Sequence, residues 1–313
     1  MRGMIGLVAA IGLALGLGVG SARAEGSRYF SIATAGEAGT YFPVGRALAE
    51  AVSAPPGLVV SAVASNGSVA NVEAIAGGGA QSGLVQADVA AWAFEGTGVF
   101  EAKGARPGLR AIAALYPEAV HLLVRKGAGI HALADLAGKH VSVDEPGSGT
   151  LADVRLILSA AGLSERDFTA EYYKADLAAQ LTASGGLDGF FFVGGWPAPA
   201  IAKLAAAQPG AFALVPLTAG EGFARETIPD EAYPGMKGVE TLAVRTLWLT
   251  DAGQPDEVIE AITAALWSTR ARSILDAGHP QGRSIRLEGA LDGLTVPLHP
   301  GAEAFYRKAG LIK

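Results

Sequence analysis

Four short stretches hold the residues that could do chemistry, and each stands at the foot of a helical pattern. Thr40 and Tyr41 follow a loop of small residues that contains Gly36 and Gly39. Ser65, Asn66 and Ser68 surround Gly67. Gln86 ends a short apolar run. Ser148, Gly149 and Thr150 close the sequence Pro146-Gly147-Ser148-Gly149-Thr150. Hydroxyls and amides at such positions do one thing well. Together with the free N–H groups of a helix N-terminus, they hold an anionic or polar ligand group by hydrogen bonds. Glycine lets the backbone come close to that ligand. No arginine lies inside any of the four stretches, so hydroxyls and backbone amides are expected to do the work of a guanidinium; Arg125 and Arg155 are the reserve. One ligand carboxylate is expected at Ser148 to Thr150, facing Thr40, Tyr41, Ser65, Asn66, Ser68 and Gln86.

Signatures of catalysis are missing. Gly147-Ser148-Gly149 is not a nucleophile elbow, because Pro146 stands where the first glycine of G-x-S-x-G belongs. The five histidines, at 121, 131, 140, 279 and 299, have neither metal-ligand spacing nor an H-E-x-x-H pair, and no P-loop occurs. No metal, cofactor or catalytic residue is therefore expected. The opposing reading is an exported enzyme with Asp144, Glu145 or His121 as acid or base. His299 before Pro300 reads as a structural hydrogen-bonding residue, and Phe191 and Phe192 as core.

The elements that position these residues alternate. Phe30–Ala33 reads as a strand, and Val44, Ala47, Leu48, Ala51 and Val52 recur at helical spacing behind Pro43. Strand Leu58–Ala64, a helix capped by Ser68, strand Ser82–Gln86 and a helix capped by Asp88 follow. Leu109–Tyr116 and Val120–Arg125 read as separate strands. His140–Val143, a loop and the helix Thr150–Ala161 then repeat the opening plan. Thr218–Gly238 reads as a long polar loop, Val239–Thr250 as a strand and Asp256–Leu275 as one long helix. The alternation predicts an α/β fold with two lobes and a mostly parallel sheet. The expected boundaries are 25–119 with 241–313 for one lobe and 120–240 for the other. Strands near Val120 and Val239 would cross between them, and the cleft would be the ligand site.

Arg2, an uncharged apolar run and Ala22-Arg23-Ala24 form a secretory signal pattern, expected to be cut after Ala24. There is no cysteine, hence no lipoprotein anchor and no disulfide, and stability must come from core burial. The formal charge is −6, and loss of Arg2 and Arg23 takes it to −8. With no basic run, nucleic acid is excluded as an expected partner.

Several stretches together, and in this order, resemble the TAXI-type solute receptors of TRAP transporters. They are Gly39-Thr40-Tyr41-Phe42-Pro43, Ser65-Asn66-Gly67-Ser68-Val69 with Asn71, Gly83-Leu84-Val85-Gln86-Ala87-Asp88, Leu115-Tyr116-Pro117-Glu118, Pro146 to Thr150, Phe191-Phe192-Val193-Gly194-Gly195 and Val296 to Ala302. Within the first loop, Glu37 adds a negative charge beside the expected anion site. The resemblance spans nearly all of the mature chain. It implies a type II periplasmic binding protein-like fold with two α/β lobes joined by hinge strands. It also implies a carboxylate or acidic amino-acid ligand, glutamate- or 2-oxoglutarate-like, and a membrane permease driven by an ion gradient. It adds Tyr116, Gly194 and Gly195 to the ligand-binding set. A periplasmic monomer free in solution is expected. A receptor reporting to a membrane sensor is the remaining variant.

Overall fold

Runs of Ile, Val, Phe and Leu that favour strands alternate with alanine-rich amphipathic stretches, and the chain sorts them into one sheet flanked by helices. The computed structural model describes residues 27–218, 220 and 222–313, so the expected signal peptide lies outside the described residues. The strands are β1 (Arg28–Ala33), β2 (Leu58–Val63), β3 (Ser82–Gln86), β4 (Leu109–Arg125), β5 (His140–Ser142), β6 (Thr169–Glu171), β7 (Gly189–Gly194), β8 (Phe212–Leu214), β9 (Ala224–Ile228) and β10 (Val239–Asp251). The helices are α1 (Tyr41–Val52), α2 (Ser68–Ala76), α3 (Ala87–Glu95), α4 (Gly149–Ala160), α5 (Ala175–Ser184), α6 (Pro199–Ala207), α7 (Asp256–Leu266), α8 (Thr269–Ala277) and α9 (Pro300–Lys308).

The sheet runs β2-β1-β3-β10-β4-β7-β5-β6, with β8 on β4 and β9 on β10. Its two ends are parallel: β1 pairs β2 and β3, and β5 pairs β6 and β7. The middle is two long antiparallel strands that each serve both ends. Leu109–Ala119 of β4 lies against β10, and Ala119–Val124 lies against β7. In β10, Thr246–Thr250 pairs β3, whereas Val239–Ala243 pairs β9. The crossing therefore sits at Pro117–Ala119 and Ala243–Arg245.

Buried apolar side chains follow that division. Two clusters draw on residues 30–116 and 247–306, around Trp248, Leu48, Ile259 and Val89; two others draw on 119–244, around Phe191, Val154, Phe190 and Ile201. No cluster's buried members mix the two sets.

Three expected elements differ. Leu109–Tyr116 and Val120–Arg125 are one strand, because Pro117 falls where the register against β10 shifts, and its missing N–H is not needed there. The long loop Thr218–Gly238 contains β9, recruited by pairing with β10 rather than by its own propensity. Asp256–Leu275 is two helices. Ser268 caps the second by accepting from Ala271 N, which ends the first at Leu266.

Candidate functional site

The loops that follow the carboxyl ends of β1, β2, β3, β5 and β7 meet above the crossing, the usual position for a ligand in such sheets. They enclose a cavity of about 50 Å³. The loop after β1 contributes Ala35, Gly39, Thr40 and Tyr41, and that after β2 contributes Asn66, Gly67 and Ser68. Gln86 comes from the end of β3, and Asp144, Ser148, Gly149 and Thr150 follow β5. Phe192, Val193 and Gly194 come from β7, and Glu118 from the crossing itself. The helices α1, α2, α3 and α4 all begin here, at Tyr41, Ser68, Ala87 and Gly149. Four helix N-termini, with their partial positive charge, thus border one small space, although Ala70 N, Val89 N and Leu151 N are already taken by Gly147 O, Asp88 and Ser148 Oγ. None of the lining residues is Lys, Arg or His.

Of the residues expected from the sequence, Thr40, Tyr41, Asn66, Ser68, Gln86, Ser148, Gly149, Thr150 and Gly194 line this cavity. Three do not. Ser65 holds the loop behind it: its Oγ lies 2.6 Å from Asn71 Oδ1 and accepts from Gly67 N. Tyr116 is fully buried in the core beneath. Gly195 lies against Thr40 and Gln281 of the opposing half, where a Cβ would come within 2.4 Å of Gln281 Cγ. The reserve arginines are elsewhere. Arg125 pairs with Asp188 at 2.7 Å and Arg155 with Glu165 at 2.8 Å. Glu37 is exposed, on an outer groove beside Phe42 and Arg46.

The expected caps Ser68 and Asp88, and the helix-start hydroxyl Thr40, take other work. Thr40 sits at the N-cap of α1 but makes no cap; its Oγ1 donates to Gly195 O at 2.5 Å. Ser68 is the first residue of α2 rather than its cap, and its Oγ accepts from Gln86 N. Asp88 lies inside the first turn of α3, one residue beyond its start. Ser148 does cap α4, accepting from Leu151 N at 3.0 Å, and Thr150 Oγ1 accepts from Val193 N. His299 is the structural residue expected: Nδ1 accepts from Gly301 N, which leaves Nε2 to donate to Gln254 O. His121 is likewise structural. Its Nδ1 donates toward Ala119 O and its Nε2 accepts from Tyr233 OH, while burial pulls its pKa down to about 4.

The two halves of the sheet touch around the cavity. Gln86 Nε2 donates to Asp153 Oδ2 at 2.8 Å, and Ala70 N donates to Gly147 O at 3.0 Å. Gly67 and Gly147, both with positive φ (105° and 97°), face each other's loops; a Cβ on Gly67 would sit 3.5 Å from Ser148 Cα. At the rim, Lys174 Nζ reaches Glu145 at 3.0 Å and Asn66 Oδ1 at 3.1 Å. Asn66 Nδ2 in turn donates to Pro146 O. Because the lysine is half-exposed, this bridge is weak and salt-sensitive. Lys174→Ala is expected to lower affinity for a cavity ligand about two- to fivefold at low salt, from an exposed pair worth up to about 1 kcal/mol, and the difference should vanish at high salt. Titration calorimetry at two ionic strengths checks it.

Sequence reasoning missed the acids as part of the wall. Glu118 is 1% exposed, and Oε1 accepts from Tyr41 OH at 2.6 Å and Thr246 Oγ1 at 2.7 Å. Burial drives its pKa up to about 8, against the lowering effect of those two hydroxyls. Asp153, on the buried side of α4, is pushed well above the usual carboxylate range by burial and by Asp88, which is itself raised by burial. Asp144 is raised to about 6 by burial, held back by Glu145 N and by the hydroxyls of Thr150 and Ser148. The hydroxyls expected to hold a ligand anion thus already face a resident carboxyl. The signal for Glu118 emerges only when Leu109–Arg125 is one strand, which makes it a charged residue interrupting an apolar run. Among the described residues, no group of His, Asp or Glu is arranged to hold a metal ion.

A sheet with parallel ends, two shared central strands and a cavity over the crossing is the mixed α/β fold of the periplasmic binding proteins. PhnD1 from Prochlorococcus marinus (MIT 9301), solved with methylphosphonate, aligns with TM-score 0.54 and 13% identity over 91% of this chain and 99% of that one. A protein from Bordetella bronchiseptica RB50 aligns with TM-score 0.53 and 23% identity over 90% and 81%. The alkanesulfonate-binding protein SsuA from Xanthomonas axonopodis pv. citri, bound to MOPS, aligns with TM-score 0.47 and 18% identity over 91% and 92%. The chain belongs to the NMT1-like family, whose pattern matches residues 32–310.

Proposed function

We propose that this protein is an extracytoplasmic solute-binding receptor that closes around a small carboxylate or acidic amino acid and hands it to a membrane transporter. The observation that carries the reading is the cavity at the crossing, walled by four helix N-termini and by residues from both halves of the sheet. The two sets of buried core residues support two lobes hinged on β4 and β10, close to the expected 25–119 with 241–313 and 120–240, except that Ala119, Leu242 and Val244 pack with the second set rather than the first. PhnD1, solved with methylphosphonate, supports an anionic ligand class. Asp144 beside the α4 N-terminus favours the amino-acid arm, because its carboxylate suits an ammonium while the N–H groups suit a carboxylate. The permease partner is inferred to be of TRAP type, on the resemblance of the sequence motifs to TAXI receptors. Export is inferred from the Ala22-Arg23-Ala24 pattern, giving a mature periplasmic protein from Glu25 with no lipid anchor. Among the described residues, no helix is long and apolar enough to cross a membrane.

A thermal-shift panel of carboxylates, amino acids, sulfonates and methylphosphonate tests the reading, since a ligand that binds only the folded state raises the melting temperature. Stabilisation by glutamate or 2-oxoglutarate supports it. Stabilisation by sulfonates or methylphosphonate alone moves the ligand class, and turnover of a bound compound moves the protein to the enzymes. With the best carboxylate, Ser148→Ala combined with Thr150→Ala is expected to cost roughly tenfold to a hundredfold in affinity, the size of one charge-assisted hydrogen bond. Arg125→Ala and Arg155→Ala should bind as wild type, because both arginines are paired elsewhere. The opposite pattern would move the anion to an arginine.

A further inference from the structure

The cavity wall contains a carboxyl group that no cation among the described residues offsets. Glu118 is fully buried, at the crossing of β4 and β10. Among the described residues, the charged or titratable groups packed about it can be named. From α1 comes Tyr41 and from its own strand Tyr116, both with burial-raised pKa values. From α3 comes Asp88 and from α4 Asp153, both acids. Across the cavity stands Asp144, a third acid. Thr246 of β10 and Ser68 of α2 supply hydroxyls only. The bases of the crossing turn away: Arg245 toward Asp292 and His121 toward Tyr233 and the Ala119 carbonyl. A buried carboxylate without a counter-charge is far costlier than a buried carboxylic acid, and neighbouring acids add to that cost.

The hydrogen bonds say which oxygen carries the proton. Oε1 accepts from both Tyr41 and Thr246, so its acceptor capacity is filled by hydroxyls that can only donate to it. Tyr41 OH is itself engaged at 3.3 Å by Ser68 Oγ, whose other partner is the donor Gln86 N, so Ser68 donates to Tyr41 and Tyr41 to Glu118. That chain of donors has one direction, and it leaves Oε2 as the carboxyl oxygen not engaged by these hydroxyls, on a residue that lines the cavity.

We propose, on the basis of the carboxylate-receptor reading, that Glu118 faces the ligand as a neutral carboxylic acid and donates its Oε2 proton to an anionic oxygen of the ligand. The acid takes the place of the absent guanidinium and restricts the ligand at this point to groups that accept a hydrogen bond, such as carboxylate or carbonyl oxygen. An ammonium at this point would meet a donor and be refused; the ammonium of an amino acid belongs at Asp144. Binding is then linked to protonation. With a free-protein value of about 8, Glu118 is already in its binding form at neutral pH. Above that value each capture takes one proton from solvent, and affinity falls tenfold per pH unit.

The experiment is titration calorimetry with 2-oxoglutarate and with L-glutamate from pH 6 to 9, in buffers of different ionisation enthalpy, on wild type, Glu118→Gln and Glu118→Ala. The expected result is a flat dissociation constant to about pH 7.5, then a fall in affinity approaching tenfold per unit with uptake of one proton. Glu118→Gln, whose amide N–H replaces the acid proton, flattens the profile and abolishes the uptake, whereas Glu118→Ala loses affinity tenfold or more throughout. The proposal is overturned if Glu118→Gln costs a hundredfold at pH 6 in a protein that still melts cooperatively. It is equally overturned if wild-type binding strengthens between pH 7 and 9. Failure of both probes to bind wild type would refute the carboxylate reading itself. Carboxyl carbon-13 NMR of the ligand-free protein then decides the proton separately: the Glu118 resonance, assigned by its loss in Glu118→Gln, titrates near pH 8 if the acid form is native. Titration below pH 5 overturns the proposal.

Discussion

Replacing Gly149 with valine is expected to cost at least about a hundredfold in affinity for any ligand of the cavity, while the ligand-free protein melts within a few degrees of wild type. The reason is where the added atoms go. A Cβ on Gly149 would lie 1.4 Å from Gln86 Oε1 and 2.9 Å from Ser68 Oγ, overlapping the first outright. Gln86 has little freedom to step aside, because it is buried and its amide is tied to Asp153 on the same helix as Gly149. Gly149 belongs to one half of the sheet, Gln86 and Ser68 to the other. Parting the halves relieves the clash, and the α4 backbone at 149 has no positive φ that would make valine a local problem. A hundredfold corresponds to about 2.7 kcal/mol, a modest value for holding such a contact open. Calorimetry measures the affinity, and small-angle scattering should give the variant a larger radius of gyration than wild type in the presence of ligand. Wild-type affinity in Gly149→Val would mean that the ligand is held in a form where these loops do not meet.

The sequence made the loops legible and hid what lies between them. Small residues before a helical stripe identify an N-terminus from local chemistry alone, so Thr40, Ser68, Gln86, Ser148 and Thr150 were within reach, and all five line the cavity. Their individual tasks were not, because each depends on a partner distant in the chain. Thr40 reads as a ligand hydroxyl at a helix start, and its bond goes to Gly195, 155 residues away. Asp153 lies within the α4 pattern as an ordinary polar position. It becomes a buried acid only because α3 of the other half covers it and presents Asp88. Pro117 suggested a break, since nothing local announces a register shift against a strand more than a hundred residues later. Glu118 was hidden by the same break: beside Pro117 it reads as an ordinary connection charge, and it becomes a charge inside a buried run only because Leu109–Arg125 is one strand.

Stability should fall, not rise, as pH increases from 6 to 8.5, and Glu118→Gln should remove the share of that fall that Glu118 carries. The direction follows from which state binds more protons. Glu118 has its ordinary value of 4.5 when unfolded and about 8 when folded. Between those values the native protein keeps a proton that the unfolded chain has lost, so the stability this group contributes is complete below about 4.5 and is lost as pH rises toward 8. About three and a half pH units correspond to on the order of 5 kcal/mol, with a little over half of it lost above pH 6. Asp153 and Asp88, also raised, act in the same direction, and Asp144 does so up to its value of about 6. On the acid side the buried histidines act oppositely. His121, ordinarily at 6.5, is lowered to about 4, so its unfolded form gains a proton first and stability is lost as pH falls through that window. His279 and His299 are lowered as well. The two trends oppose each other below about pH 6.5; above it the unfolded histidines are neutral as well, and only the raised acids remain to pull stability down toward pH 8.5. In Glu118→Gln the amide presents the same acceptor to Tyr41 and Thr246 without a proton to lose. The variant should therefore match wild type at pH 5 and exceed it by a few kcal/mol at pH 8.5. Urea unfolding at pH 5, 6, 7 and 8.5 measures this directly. Equal wild-type stability at pH 6 and 8.5 would mean that Glu118 is ionised in the native state, with a cation close enough to hold it so.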